Sequence, residues 1–329
     1  MYLATLPIEQ AVGHILRHNV ADASGRKALA KGRRLSEADT VHLRALGVEV
    51  VRVAVLEPGD VHEDEAARRL AVAVVRPGVT TTGAVHSRVN LLAATDGVVE
   101  VDVAALFAIN EIDGVTIATL PEHTPVRARK RIATIKVIPF ALPEETLACA
   151  ERIGSQAGGV VGVRPLRRVN VGVLLVAGRE AQERITRSVL AAIEGRVTEP
   201  GSVVGAVRYA LPDEGAVADG ISALCAAGSE LIIIAGETSI MDRDDVTPQG
   251  IRMAGGRIEH YGAPVEPGNL LLLAYLDVTP EHVVPVLGAP GCVRSRDTNI
   301  VDLLLPRLLA GERVTRRDII ALGHGGLLG

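Results

Sequence analysis

The sequence predicts an α/β protein: a doubly wound, mostly parallel sheet in the second half, preceded by a smaller α+β domain. Three observations lead there. The chain has 329 residues, too many for one ordinary core. Its composition is 48% hydrophobic but only 2% aromatic, so Val, Leu, Ile and Ala must build a core of the kind parallel sheets and covering helices use. After residue 165 apolar strands alternate with capped helical segments, which is the signature of right-handed crossovers. We therefore expect domains at 1–165 and 166–329.

In the first half, Pro7 to His18 reads as a helix, Lys31-Gly32 as a turn, and Ser36 as the N-cap of a helix ending before Gly47. Alternation over Val48 to Val55 predicts a strand, Glu63 to Val75 a helix stopped by Pro77-Gly78, and Val98 to Val101 and Val115 to Leu120 further strands. Ile132 to Phe140 is β-like, and Pro143-Glu144-Glu145 opens a helix. In the second half, Asn170 to Ala177 is a continuous apolar strand, Glu180 to Glu194 a helix closed by Gly195, and Ser202 to Leu211 a strand. Asp213 caps a helix reaching Gly228, and Glu230 to Ala235 is another buried strand.

Composition and motifs exclude several classes. A net charge of -4 nominates no nucleic acid, and the basic cluster Arg127, Arg129, Lys130 and Arg131 lacks the aromatics that stack bases, so a solvated turn or edge strand explains it. The longest apolar stretches, such as Leu270 to Leu276, are far short of a membrane span. No secretion signal is visible, so a cytoplasmic location is expected. Cys149, Cys225 and Cys292 are far apart, against a zinc ribbon or a disulfide framework. No G-x-G-x-x-G follows a strand, and there is neither a P-loop nor a G-x-S-x-G elbow. His14 and His18 fall at i, i+4 without a metalloprotease glutamate, and a surface pair explains them. His86, Arg88 and Asn90 read as one polar strand face.

In a parallel sheet, ligands bind beyond the carboxyl ends of the strands. That directs attention to Gly178 to Glu180, Gly236 to Asp245 and Gly288 to Ser295. The middle loop offers Gly236, the hydroxyls of Thr238 and Ser239, and the acids Asp242, Asp244 and Asp245. Backbone N–H groups and hydroxyls there suit an anion, and the carboxylates suit Mg²⁺ held against phosphate; helix capping is the alternative for the acids.

This loop resembles the Gly-Gly-Val-Ser-Val-Gly-Asp-Tyr-Asp segment of the molybdopterin-binding fold shared by molybdopterin adenylyltransferases and molybdenum insertases. Gly236, Ser239, Asp242 and Asp244 match; Glu237 and Met241 stand where the family has its second and third glycines. Gly178 and Glu180 match the family's Thr-Gly-Asp-Glu turn, with Arg179 replacing an acid. Gly288, Pro290 and Gly291 match the insertases' Gly-Leu-Pro-Gly-Asn-Pro turn, followed by the phosphate-binding types Arg294 and Ser295. Segments such as Val85 to Leu92 and Ala263 to Leu270 are similar to bacterial molybdopterin-binding proteins, some of which carry a C-terminal nucleotidyltransferase domain, a pattern not seen before Gly329.

The resemblance implies a role in molybdenum-cofactor biosynthesis, with molybdopterin as ligand or substrate, Mg²⁺ on Asp242 and Asp244, and ATP or CTP as a further partner. Asp242 and Asp244 would be catalytic, in nucleotidyl transfer to the pterin phosphate or in molybdate insertion. The alternative is a non-catalytic carrier or sensor that presents the pterin to a separate nucleotidyltransferase or apoenzyme, a reading favoured by Glu237. Relatives of this fold commonly form dimers or trimers, which leaves a homo-oligomer open.

Overall fold

The computed structural model describes residues 1–237, 239–279 and 282–328 and divides the chain into two compact bodies. The first comprises Met1–Thr95, Val99–Glu122 and Val126–Arg164; the second comprises Asp96–Val98, His123–Pro125 and Pro165–Gly329. Both mix helices and strands, and among the described residues no helix is long and apolar enough to cross a membrane.

The first body contains a four-stranded sheet in which Arg131–Val137 lies between Val115–Thr119 and Arg88–Ala93, all antiparallel. Helices Glu63–Val74 and Glu144–Gln156 cover it through a shared core that includes Leu70, Leu91, Ile135 and Leu147. Arg69 joins the helices, donating to both Glu144 and Glu151. A smaller cluster of Ile8, Leu16, Leu43 and Val53 holds the N-terminal strands against helix Glu37–Ala45, which Ser36 opens with a capping box to Asp39.

The helix expected over Pro7 to His18 is replaced by one 3-10 turn, Ile8–Gln10, and the short strand Ile15–Leu16. Gly13 adopts φ +85°, a left-handed conformation that cannot continue a helix. His14 and His18 therefore share no helix face. His86 is not on a strand: with Ser87 it forms a left-handed turn (φ 50° and 63°) before Arg88.

The second body is built on a six-stranded sheet. Its strands are β1 (Asn170–Val176), β2 (Val203–Ala210), β3 (Leu231–Gly236), β4 (Gly256–Tyr261), β5 (Leu272–Thr279) and β6 (His282–Gly288). They lie in the order β2-β1-β3-β6-β5-β4. The four strands β2, β1, β3 and β6 are parallel; β5 pairs antiparallel with β6, and the edge strand β4 pairs antiparallel with β5. The antiparallel edge follows from local connectivity: β5 passes into β6 too directly for a crossover helix.

Alternate residues of β1 enter different cores. Val171, Val173 and Leu175 pack with Ile185, Val189, Ile193, Leu304 and Leu308, while Leu174 and Val176 pack with Val217, Ile221, Leu224 and Ile251 on the other face. The covering helices are α1 (Gln182–Ile185) and α2 (Ala191–Thr198), joined by a π turn at Thr186–Leu190, then α3 (Glu214–Ala226), α4 (Val246–Met253), α5 (Ile300–Leu309) and α6 (Arg316–Ala321). Gly195 does not close the first of these segments as the sequence suggests; it lies inside α2, and the left-handed glycine of this stretch is Gly201.

Arg307, 1% exposed, anchors the C-terminal part of this body. Its guanidinium donates to Glu312 at 2.5 Å and lies 3.1 Å from Asp318. Burial alone would push the Glu312 carboxyl up, but hydrogen bonds and charge from His123 and Arg307 outweigh it and hold the carboxyl at about 2, below its ordinary 4.5. A depressed carboxylate stabilises the fold above its unfolded pKa and loses that contribution as the pH falls through the folded one. We expect about 3 kcal/mol from Glu312 at neutral pH to vanish between roughly pH 4.5 and 2. Replacing Glu312 with Gln should remove much of this acid sensitivity from the second body's unfolding transition, and an unchanged pH profile would assign it elsewhere.

Candidate functional site

Strands β1, β2 and β3 end level, with Val176 opposite Ala210 on one side and Gly236 on the other. The chain leaves β1 toward β2 and crosses back to β3, so the direction of winding reverses beside β1, where an open crevice is expected. The crevice is there. A cavity of about 280 Å³ is lined by Val176, Ala177, Gly178, Pro212, Gly236, Glu237, Ser239, Ile240, Met241, Asp245, Val246 and Thr247.

The loop after β3 is held by its own acids. Asp245 stands at the N-cap of α4, yet its carboxylate makes no capping bond to that helix. Instead Oδ2 accepts the N–H groups of Met241 (2.6 Å) and Asp242 (3.0 Å), folding the loop back on itself. Asp242 Oδ1 accepts the N–H of Asp244, and Asp244 Oδ1 accepts from the Gln249 amide. Neither Asp242 nor Asp244 lines the crevice, and both are exposed. Asp245 is the aspartate of this loop that does.

Glu237 is also accommodated. Its carboxylate accepts from Arg184 of α1 at 2.7 Å. Ser239 Oγ accepts the N–H of Gly291 at 3.2 Å, and Arg294 donates to the carbonyl of Glu237 at 3.1 Å. Gly291, Arg294 and their neighbours thus buttress the middle loop and do not line the cavity. Gly288, at the end of β6, permits close packing: a Cβ there would meet Ile240 Cδ1 at 2.8 Å. Pro290 is buried at the start of the turn Gly291–Arg294, and Ser295 Oγ donates to Asp297.

Gly178 lines the crevice; Glu180 is exposed one turn later and does not. Thr238 lies outside the described residues. Asp213 caps α3 through the N–H of Ala216, as its position after Pro212 suggests. Arg196, which the sequence reading passed over, holds the third loop by donating to the carbonyls of Val293 and Ser295 and to Asp302. It sits on a helix about a hundred residues upstream, and only the fold brings it there.

Among the described residues, the crevice wall contains two carboxylates, Glu237 and Asp245, and no Lys or Arg. Burial first, and then the charges of Asp245 and Asp242, push the Tyr261 phenol up. Asp242, Asp244 and Asp245 form no preformed metal cluster; among the described residues the one group of three metal-type donors is His123, Glu312 and Asp318, where Arg307 already neutralises both acids. The donors do fit a Mg²⁺ ion that arrives with a phosphate and keeps most of its waters, since such an ion needs only one or two carboxylates. Asp245 would be the first of them, because it is the aspartate at the wall.

Arg294 therefore belongs to the loop's scaffold. Its replacement by Leu should speed hydrogen exchange at residues 236–240 while costing only about 1 kcal/mol of global stability. Unchanged exchange would mean that the Arg294 bonds carry no restraint.

A family profile described as a domain of unknown function (DUF8806) matches residues 5–55, in the first body. No curated protein matches the chain. Among solved structures, the tungsten cofactor synthesizing protein MoaB of Pyrococcus furiosus is similar at 14% identity, with 43% of this chain and 91% of that chain covered and a TM-score of 0.31. A molybdenum cofactor biosynthesis protein of P. furiosus aligns at 12% identity over 95% of this chain and 66% of its own, with a TM-score of 0.24. The MoeA molybdopterin biosynthesis protein of Pyrococcus horikoshii aligns at 14% identity over 94% of this chain and 75% of its own, with a TM-score of 0.31.

Proposed function

We propose that the second body is a doubly wound molybdopterin-binding domain that binds a phosphorylated molybdopterin in the crevice beyond β1 and β3, and that the protein serves molybdenum-cofactor biosynthesis. The observation that carries this reading is the meeting of Gly178, Gly236 and Ser239 at one cavity, at the place where the winding reverses. These three are among the residues that match the family loops in the sequence; Glu180, Asp242, Asp244, Gly288, Pro290 and Gly291 match as well but do not line the cavity. Glycine lets a ligand approach the backbone closely, and the loop N–H groups and the Ser239 hydroxyl supply polar contacts.

The electrostatics give the ligand's phosphate a condition. Glu237 is already paired with Arg184, so Asp245 is the wall's uncompensated charge. A dianionic phosphate placed beside it is repelled unless a divalent cation lies between, and Mg²⁺ would supply that neutralisation and polarise the phosphate. The chain's own part is to bind, to orient and to fix the loop through Asp245, Ser239 and Arg294.

Two functional readings follow. In the first, the site takes part in nucleotidyl transfer from ATP or CTP to the pterin phosphate, or in molybdate insertion, chemistry that needs positioning and charge stabilisation without a protein nucleophile. In the second, the protein is a carrier that presents the pterin to a separate transferase. The exposed placement of Asp242 and Asp244, away from the cavity, favours the carrier.

Gly178 provides a test that spares the fold. A Cβ added there meets nothing within 4 Å, so a Gly178→Leu variant should fold normally and fill the crevice. Calorimetric titration with molybdopterin should show wild-type binding strengthened by Mg²⁺, and at least about tenfold weaker binding in this variant. The Mg²⁺ effect should shrink in Asp245→Asn. Absence of wild-type binding, or full affinity in Gly178→Leu, would place the pterin elsewhere or remove it. Incubation with ATP or CTP then separates an enzyme, which forms a nucleotide-linked pterin, from a carrier, which does not.

A further inference from the structure

A second and larger cavity, of about 600 Å³, lies across α4 from the crevice. Its rim carries four guanidinium groups, Arg243, Arg252, Arg257 and Arg316, with His260 beside them and a single carboxylate, Glu259. Its floor is apolar: Pro248 and Leu272 are buried and Ile258 partly so. The arginines come from three places in the sequence, the loop before α4 and α4 itself, strand β4, and the first residue of α6. In a chain of net charge -4 this concentration of positive charge is not a property of the bulk surface.

Internal partners do not neutralise it. Glu259 is shared: Oε2 lies 3.5 Å from the Arg257 guanidinium, and Oε1 accepts the backbone N–H of Arg316. Arg252 donates to the carbonyl of Arg243, a contact that leaves its charge in place, and its nearest carboxylate, Asp244, is 3.9 Å away and 82% exposed. His260 reports the resulting field. Burial lowers its pKa first, and the charges of Arg316 and Arg243 lower it further, against a smaller opposing effect of Glu259. Thus a protonated imidazole is disfavoured by the same positive potential that would attract an anion.

We propose that this cleft is a binding site for a small phosphorylated polyanion, one carrying two or more phosphate charges, distinct from the pterin crevice. Guanidinium forks match phosphate oxygens in pairs, and four around one cleft suit several phosphate groups better than one. The volume is in the range of small-molecule sites, and the apolar floor gives a non-phosphate part of the ligand something to cover. One hydrogen bond links the two linings. Tyr261 lines this cleft, and its hydroxyl donates to the carbonyl of Ile240, which lines the other.

The test is calorimetric titration of the full chain with sodium tripolyphosphate, pyrophosphate, orthophosphate and citrate at low and moderate salt. An NMR pH titration of His260 would be run with and without tripolyphosphate. We expect saturable 1:1 binding with tripolyphosphate at least tenfold tighter than orthophosphate, weakened by salt. Arg257→Gln and Arg316→Gln, both exposed positions, should each weaken it about tenfold. Bound polyanion should raise the His260 pKa, because it cancels the field of Arg243 and Arg316. No saturable binding, equal affinity for citrate, unchanged affinity in both variants, or an unmoved His260 would each overturn the assignment. The outcome is separable from that of the pterin crevice, since Gly178→Leu should leave tripolyphosphate binding intact.

Discussion

The second body depends on a strand that has no wet face. From Val171 to Val176 every residue of β1 is buried, and successive side chains feed two different cores. A strand covered on both sides must sit centrally and receive its hydrogen bonds from two neighbours, here β2 and β3 in parallel. Parallel neighbours end together at one edge. The loops leaving that edge are then thrown side by side, although residues 178, 212 and 236 are distant in sequence. The crevice is a consequence of burying β1.

Charge is partitioned across α4. On one side lie Asp245 and Glu237, the latter paired with Arg184; on the other lie four arginines around one glutamate. Asp242, Asp244 and Arg243 form the short loop between them, and its acids spend their oxygens on local N–H groups, which gives the loop a defined shape without a ligand. Such a loop separates an arginine-lined cleft from an acid-lined one over a few residues.

Two buried or half-buried arginines bind the C-terminal elements into the same body. Arg307 neutralises Glu312 and Asp318, and Arg196 gathers the carbonyls of the third loop. Arg307 acts from a helix on two carboxylates, and Arg196 acts from a helix on loop backbone. Removing one would leave carboxylates or carbonyls unpaired in poorly solvated surroundings, which is costly in a way that losing an exposed ion pair is not.

The sequence by itself determined the mixed α/β character, the strands near 170–176, 203–210 and 231–236, and the helix starts at Ser36 and Asp213, because periodicity and capping are local properties. It also marked the three loops, since glycine and hydroxyl patterns are written in order along the chain. It misread Pro7 to His18, where apolar spacing imitates a helix and only the left-handed Gly13 breaks it. Tertiary structure alone decided the antiparallel edge, the buttressing role of Gly291 and Arg294, and the choice of Asp245 over Asp242 at the wall, because where a carboxylate points depends on which N–H groups reach it. The basic cleft was wholly invisible to the sequence: Arg243 and Arg316 are joined only when α6 folds back beside β4, and no spacing rule connects charges brought together by packing.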